Sequence, residues 1–167
     1  MSSKPKESKP DFRVFVPGSP QPEGSTRVWM SGGKPVVSHV NQQQLEYWRK
    51  MVTLEAVRAA RRAGWNLPYD GPVSVKVRFW LYKPRSPKFP IPATKPDLDK
   101  LVRAIGDGLC PKHGLGVLRE DSRIVGWMAA KTYALPRPGS RIPPQPGAEI
   151  YVNQVNPEDW QDGGGLG

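Results

Sequence analysis

The chain has little of several things. It holds one cysteine, Cys110, among 167 residues, which excludes an internal disulfide and fits a reducing compartment. No apolar run approaches the ~20 residues that a membrane-spanning helix needs, and no leader pattern opens the chain. The expectation is a cytoplasmic protein. The two histidines, His39 and His113, leave no room for a His-rich metal centre. His113 lies near Cys110, but two such ligands in a Gly-rich loop are poor grounds for zinc; His39 reads as structural. No Ser/His/Asp or Cys/His arrangement stands out, and there is neither a P-loop nor a dinucleotide fingerprint.

Acid is also scarce. Fifteen Asp and Glu stand against 25 Lys and Arg, a formal net charge of +10. An excess of that size points to a polyanionic partner, most often nucleic acid, although a solubilising surface has the same sign. The 20 prolines and 17 glycines are many for this length and imply long connecting segments. The chain is long enough for one domain with a real core.

The ends, Met1–Pro10 and Asn156–Gly167, read as disordered tails around a domain spanning residues 11–155. Phe12–Val16 reads as a strand, and Arg27–Val37 as a hairpin turning at Ser31-Gly32-Gly33. Asn41–Ala63 is the clearest helix, with Leu45, Trp48, Val52, Ala56, Ala59 and Ala63 in one stripe. Lys50, Arg58 and Arg61 fall opposite, as a DNA-binding face or an ordinary solvated one. Leu54 and Val57 sit among them, a sign of cover by another subunit. In the strand Val73–Tyr82, Val73, Val75, Val77 and Phe79 face one way and Lys76, Arg78 and Trp80 the other. A proline-punctuated arm, Lys83–Lys95, follows with four cations and no acid; its Lys83, Arg85, Lys88 and Lys95 are candidate phosphate contacts. A second helix covers Asp97–Leu109, with Leu98, Leu101, Ile105 and Leu109 inward and Gly106 and Gly108 weakening it. Strands at Ile124–Ala134 and Glu149–Val155 flank a proline-rich crossing. This order predicts an α+β domain, a mixed sheet packed against two main helices.

The informative feature is where the acids sit. Between Gly71 and Lys131 there are twelve Lys or Arg but five acids, gathered as Asp97, Asp99 and Asp107, then Glu120 and Asp121. Carboxylates clustered in a cationic chain suit Mg²⁺, which takes hard oxygen ligands, usually one or two carboxylates with waters and a substrate phosphate. Pro96 places the helix start at or after Asp97, so Asp97 and Asp99 fall in the cap and first turn, with Arg103 one turn on. Asp121 comes from a separate element, a common way to complete such a site. The alternative remains open that Asp97 is an N-cap, Asp99 a first-turn acid, and Glu120 and Asp121 turn residues.

The run Lys95-Pro96-Asp97-Leu98-Asp99-Lys100-Leu101-Val102-Arg103, then Asp107-Gly108-Leu109, then Glu120-Asp121-Ser122-Arg123-Ile124-Val125 and Lys131, resembles the signature of the RusA family of Holliday junction resolvases. Val14-Phe15-Val16-Pro17-Gly18 is similar to that family's first strand. The resemblance implies a RusA-like fold, cleavage of four-way DNA junctions by a homodimer, and often a phage or prophage source in a bacterial cell. It implies Asp97, Asp99 and Asp121 as ligands of a catalytic Mg²⁺, with Mn²⁺ as a substitute. Arg103 stands where the family usually has an active-site Lys; a guanidinium stays charged, so a phosphate clamp suits it better than proton transfer. Lys100 replaces a usual Asn, and Glu120 a common Asp. Lys100 and Lys131 join the candidate DNA contacts, and Trp80 and Trp127 join Leu54 and Val57 as candidate dimer contacts. Two rivals stand beside this reading. One is a PD-(D/E)xK-type metal nuclease, though Ser122 stands where that motif wants Lys. The other is a branched-DNA-binding protein without catalysis.

Overall fold

A computed structural model describes residues 11–24, 26–39, 42–135, 138–140 and 145–161. The N-terminal tail expected from the sequence lies outside them, as does part of the proline-rich crossing.

Four strands form one mixed sheet: β1 (Phe12–Pro17), β4 (Val73–Leu81), β5 (Ile124–Tyr133) and β6 (Gly147–Gln154), in the order β1-β6-β4-β5. β6 runs antiparallel to both neighbours, whereas β4 and β5 are parallel. A parallel pair needs a crossover, and here it carries helix α2 (Leu98–Leu109) and the acids Asp97, Asp99, Asp107, Glu120 and Asp121. The hairpin β2 (Thr26–Ser31) and β3 (Lys34–His39) forms a separate two-stranded ribbon. It turns at Gly32-Gly33, both with positive φ, as a tight turn between antiparallel strands demands.

The core lies between one sheet face and two helices. Alternation puts Val73, Val75, Val77 and Phe79 on the inner face of β4, met by Ile150 and Val152 of β6 and Phe12 and Val16 of β1. Helix α1 (Gln42–Arg62) packs on β1 and on α2, and α2 packs on β5. The α+β domain expected from the sequence is therefore present. Two side-chain assignments shift. The fully buried residues of α1 are Leu45, Trp48, Val52, Ala56, Val57 and Ala60, while Ala59 and Ala63 are half-buried and pack against the same core; the stripe is wider than expected, and Val57 belongs to this chain's own core. Trp80 is also buried, with the Arg78 guanidinium 5.8 Å from its ring, which removes it as a dimer contact. Leu54 and Trp127 are exposed.

Two further contacts depart from expectation. Pro157–Gln161 forms a short helix, α3, where a tail was expected. A Cβ on Gly126 would stand 2.9 Å from the Trp160 ring, so the bare glycine is what lets this tryptophan rest on β5. The second contact concerns Gly108, where a Cβ would meet Val52 at 2.6 Å. The glycine that weakens α2 by propensity is what permits α1 and α2 to touch. Among the described residues no helix is long and apolar enough to cross a membrane.

Candidate active site

Asp99, Arg103 and Asp107 recur every four residues and so lie along one face of α2. That face is one wall of a groove; Asp121, Ser122, Ile124 and Trp127 form the other, with Val102 and Gly106 between. The crossover thus brings together acids that are distant in sequence. Arg103 is exposed in the groove; its charge acts on Asp107 and Glu23, but no salt bridge engages it among the described residues, which leaves its guanidinium able to take a phosphate.

The carboxylates do not close into a cage. At 1.5 Å rise per residue, Asp99 stands about 12 Å from Asp107 along the helix axis. Among the described residues no three His, Cys, Asp or Glu stand close enough to hold an ion by themselves. Asp97, the first of the predicted ligands, occupies the N-cap position of α2 in extended backbone geometry, yet its side chain makes no cap hydrogen bond. The ordinary capping role is therefore not what employs its carboxylate, which pairs instead with Lys100 at 3.6 Å. It does not line the groove. Lys100, predicted to contact DNA, is engaged locally by that pair.

Asp121 opens a 3₁₀ turn, Asp121–Arg123, just before β5. Its neighbours explain its placement. Arg123 donates to Asp70 at 2.9 Å and to Glu120 at 3.4 Å, and Ser122 donates to Glu120 at 3.1 Å. Glu120 is spent on the turn, and Asp121 is left facing the groove. The thiol of Cys110, at the end of α2, lies against the Asp121 backbone, which favours its thiolate. Burial and the charges of Asp121, Glu120 and Asp107 push its thiol pKa up, so it is a poor thiolate ligand and the zinc alternative gains nothing.

One component escaped the sequence reading. Glu23, in the loop between β1 and β2, is the one charged residue found buried among the described residues. Its backbone N–H donates to Lys100 O at 3.0 Å, and Arg49 of α1 grips both carboxylate oxygens at 2.5 and 2.7 Å. The Asp107 carboxyl lies beside Glu23 and each shifts the other's titration; two carboxyls can hydrogen-bond only with a proton between them. Burial would raise the Glu23 pKa, but hydrogen bonds with Arg49 and Asp107 outweigh it and hold Glu23 below the usual range. Asp107 is pushed up to about 6, first by burial and then by its hydrogen bond to Glu23. Where the two carboxyls share a proton, as pH falls through about 6, Asp107 is the one that takes it up. Nothing in the local pattern around Glu23 marks it, because its partners come from two helices far along the chain.

The predicted DNA contacts are dispersed. Lys83, Arg85, Lys88 and Lys95 are exposed on the irregular arm between β4 and α2. Lys50 and Arg61 are exposed on α1, where Arg58 pairs with Glu55 at 3.4 Å. Lys131 of β5 turns inward and donates to the carbonyls of Thr94 and Pro96.

A search of curated proteins finds no match to this chain. The family described as endodeoxyribonuclease RusA matches residues 17–142, a span that runs from the end of β1 through both helices and all of β5. With three of its motif acids, Asp99, Asp107 and Asp121, lining this groove, the chain belongs to the RusA family of endodeoxyribonucleases.

Proposed function

We propose that the protein is a Mg²⁺-dependent, structure-selective endonuclease that resolves Holliday junctions and other branched DNA by paired phosphodiester hydrolysis as a homodimer. The observation that carries this reading is the groove itself. It is lined by Asp99 and Arg103 of α2 and by Asp121 ahead of β5, within a family of endodeoxyribonucleases.

The donor set fits a hard cation. Asp99 and Asp121 offer carboxylate oxygens, and Mg²⁺ commonly takes one or two of these and completes its shell with water and phosphate, so no ready cage is required. Asp99 and Asp121 would hold the ion, with Asp97 adjacent at the head of α2; Mn²⁺ suits the same donors. When bound, the ion supplies a Lewis acid and a lowered water pKa for in-line attack on phosphorus.

The chain's own groups do the remaining work. Arg103 binds the scissile phosphate and stabilises its growing charge. The exposed cations of the arm and of α1 hold flanking backbone, which gives salt-sensitive affinity with little base reading. Cutting two opposing strands of a four-way junction calls for two equivalent sites, and a C₂ dimer provides them. Val125 and Met128 on the sheet-edge strand β5 are exposed apolar side chains available to such a contact.

The test is cleavage of a synthetic four-way junction beside a linear duplex, in Mg²⁺ and in EDTA, with Asp121→Asn in parallel. Paired nicks confined to the junction, dependent on Mg²⁺ and lost in the variant, are expected. Tight junction binding without cleavage in Mg²⁺ or Mn²⁺ would return the protein to a non-catalytic binding role. A monomer by light scattering at working concentration would remove the paired-nick scheme.

A further inference from the structure

The resemblance suggests Lys131 as a DNA contact, yet its ammonium is spent elsewhere. It donates to Thr94 O at 2.8 Å and to Pro96 O at 2.9 Å, across 37 and 35 residues of chain. Both carbonyls belong to the last residues before α2, and the chain passes directly from Pro96 to Asp97 and Asp99. An ammonium has three donors and no acceptor, so two of the three are committed to backbone. The residue is half-buried, and no acid among the described residues pairs with it. A lysine serving phosphates extends its head into solvent; this one is folded back onto its own chain.

Its location gives the contact a consequence. Lys131 pairs in register with Phe79, well along the β4–β5 ladder, while the start of β5 is tied to the Asp121 turn. One strand therefore carries one groove wall at its beginning and clamps the entry to the other wall further on. The arm that precedes α2 is irregular and punctuated by proline, so it has no ladder of its own to fix where the helix begins.

We infer that Lys131 is a positioning residue that sets the acid-bearing head of α2 against β5, and thereby the spacing across the groove, without touching DNA. The metal-related part of this inference rests on the proposed nuclease reading; the clamp itself rests on geometry alone.

The experiment compares Lys131→Gln and Lys131→Arg with the unaltered protein by three readouts. Junction affinity in EDTA across a salt series should be unchanged for both variants. Backbone amides of the first hydrogen-bonded turn of α2, starting at Leu101, which donates to Asp97 O, should exchange hydrogen faster in Lys131→Gln and near normally in Lys131→Arg, which can still donate to two carbonyls. The Mg²⁺ concentration for half-maximal cleavage should rise about tenfold in Lys131→Gln, with most of that loss recovered by Lys131→Arg. A Lys131→Gln protein that loses EDTA affinity, with a salt slope reduced by about one, makes Lys131 a phosphate contact and overturns the inference. Unchanged exchange overturns it too. If the unaltered protein does not cleave at all, the nuclease reading fails, and the exchange readout still decides the clamp.

Discussion

Arg49 and Glu23 are joined by two parallel hydrogen bonds of 2.5 and 2.7 Å that link α1 to the loop after β1. Through Glu23 the contact extends to Asp107 in the groove. A bidentate guanidinium–carboxylate pair is strong where water is excluded, and losing one partner strands the other. Arg49→Ala should therefore destabilise the protein by about 3 kcal/mol, measured by urea unfolding. Arg49→Lys, which keeps the charge but not the fork, should fall between. A loss below about 0.5 kcal/mol in Arg49→Ala would show that the pair is merely a surface contact.

Asp107 makes stability depend on pH in a definite direction. Its carboxyl is pushed up from 3.8 to about 6 in the folded protein, so the fold holds a proton that the unfolded chain has lost. That contribution is full below the unfolded value and disappears as pH rises through about 6. Glu23, held below its usual value, acts oppositely, but only as pH falls below 4.5, its ordinary value. Asparagine cannot ionise and can still donate to Glu23. Asp107→Asn should thus gain on the unaltered protein between pH 5 and pH 8 in EDTA, by on the order of 1 kcal/mol after screening. Parallel stability curves over that range would contradict the shared proton.

Two glycines in one helix should respond with opposite sign. At Gly108 an added Cβ meets Val52 at 2.6 Å and the Arg49 carbonyl at 3.3 Å, so Gly108→Ala should cost about 2 kcal/mol through forced separation of α1 and α2. At Gly106 the nearest atom, on Trp127, is 3.7 Å away, an ordinary contact. Gly106→Ala should stabilise by about 0.5–1 kcal/mol through helix propensity. Thermal melts of the two variants decide both.

Arg103 and the arm should separate chemistry from binding. Arg103→Ala should lower single-turnover cleavage about 10²–10³-fold, while changing junction affinity in EDTA far less. Replacing Lys83, Arg85 and Lys88 together by Gln should do the reverse, with affinity falling and the salt slope dropping by about two to three. A cleavage rate untouched by Arg103→Ala would remove it from the site.

Much of this was legible in the sequence because it is written in short periods. Alternation along Val73–Phe79 and the 3.6-residue repeat in α2 mark their buried faces without reference to any partner. The scarcity and clustering of acids, and the spaced motif that holds them, pointed to the groove and to the family. What the sequence could not supply depends on contacts between distant segments. Val57 is core and not interface because the buried face of α1 is wider than its apparent stripe, covered by both β1 and α2. The Asp107 carboxyl is pushed up to about 6 beside Glu23 because 84 residues of chain return to bring them together. Asp99 and Asp121 share a groove with Asp107, whereas Asp97 turns to Lys100, although all four belong to the same motif. Local pattern determined which residues are apolar, acidic or able to start a helix. Tertiary structure decided which face each side chain serves, because burial, ion pairing and proton sharing are properties of neighbours that only the folded chain assembles.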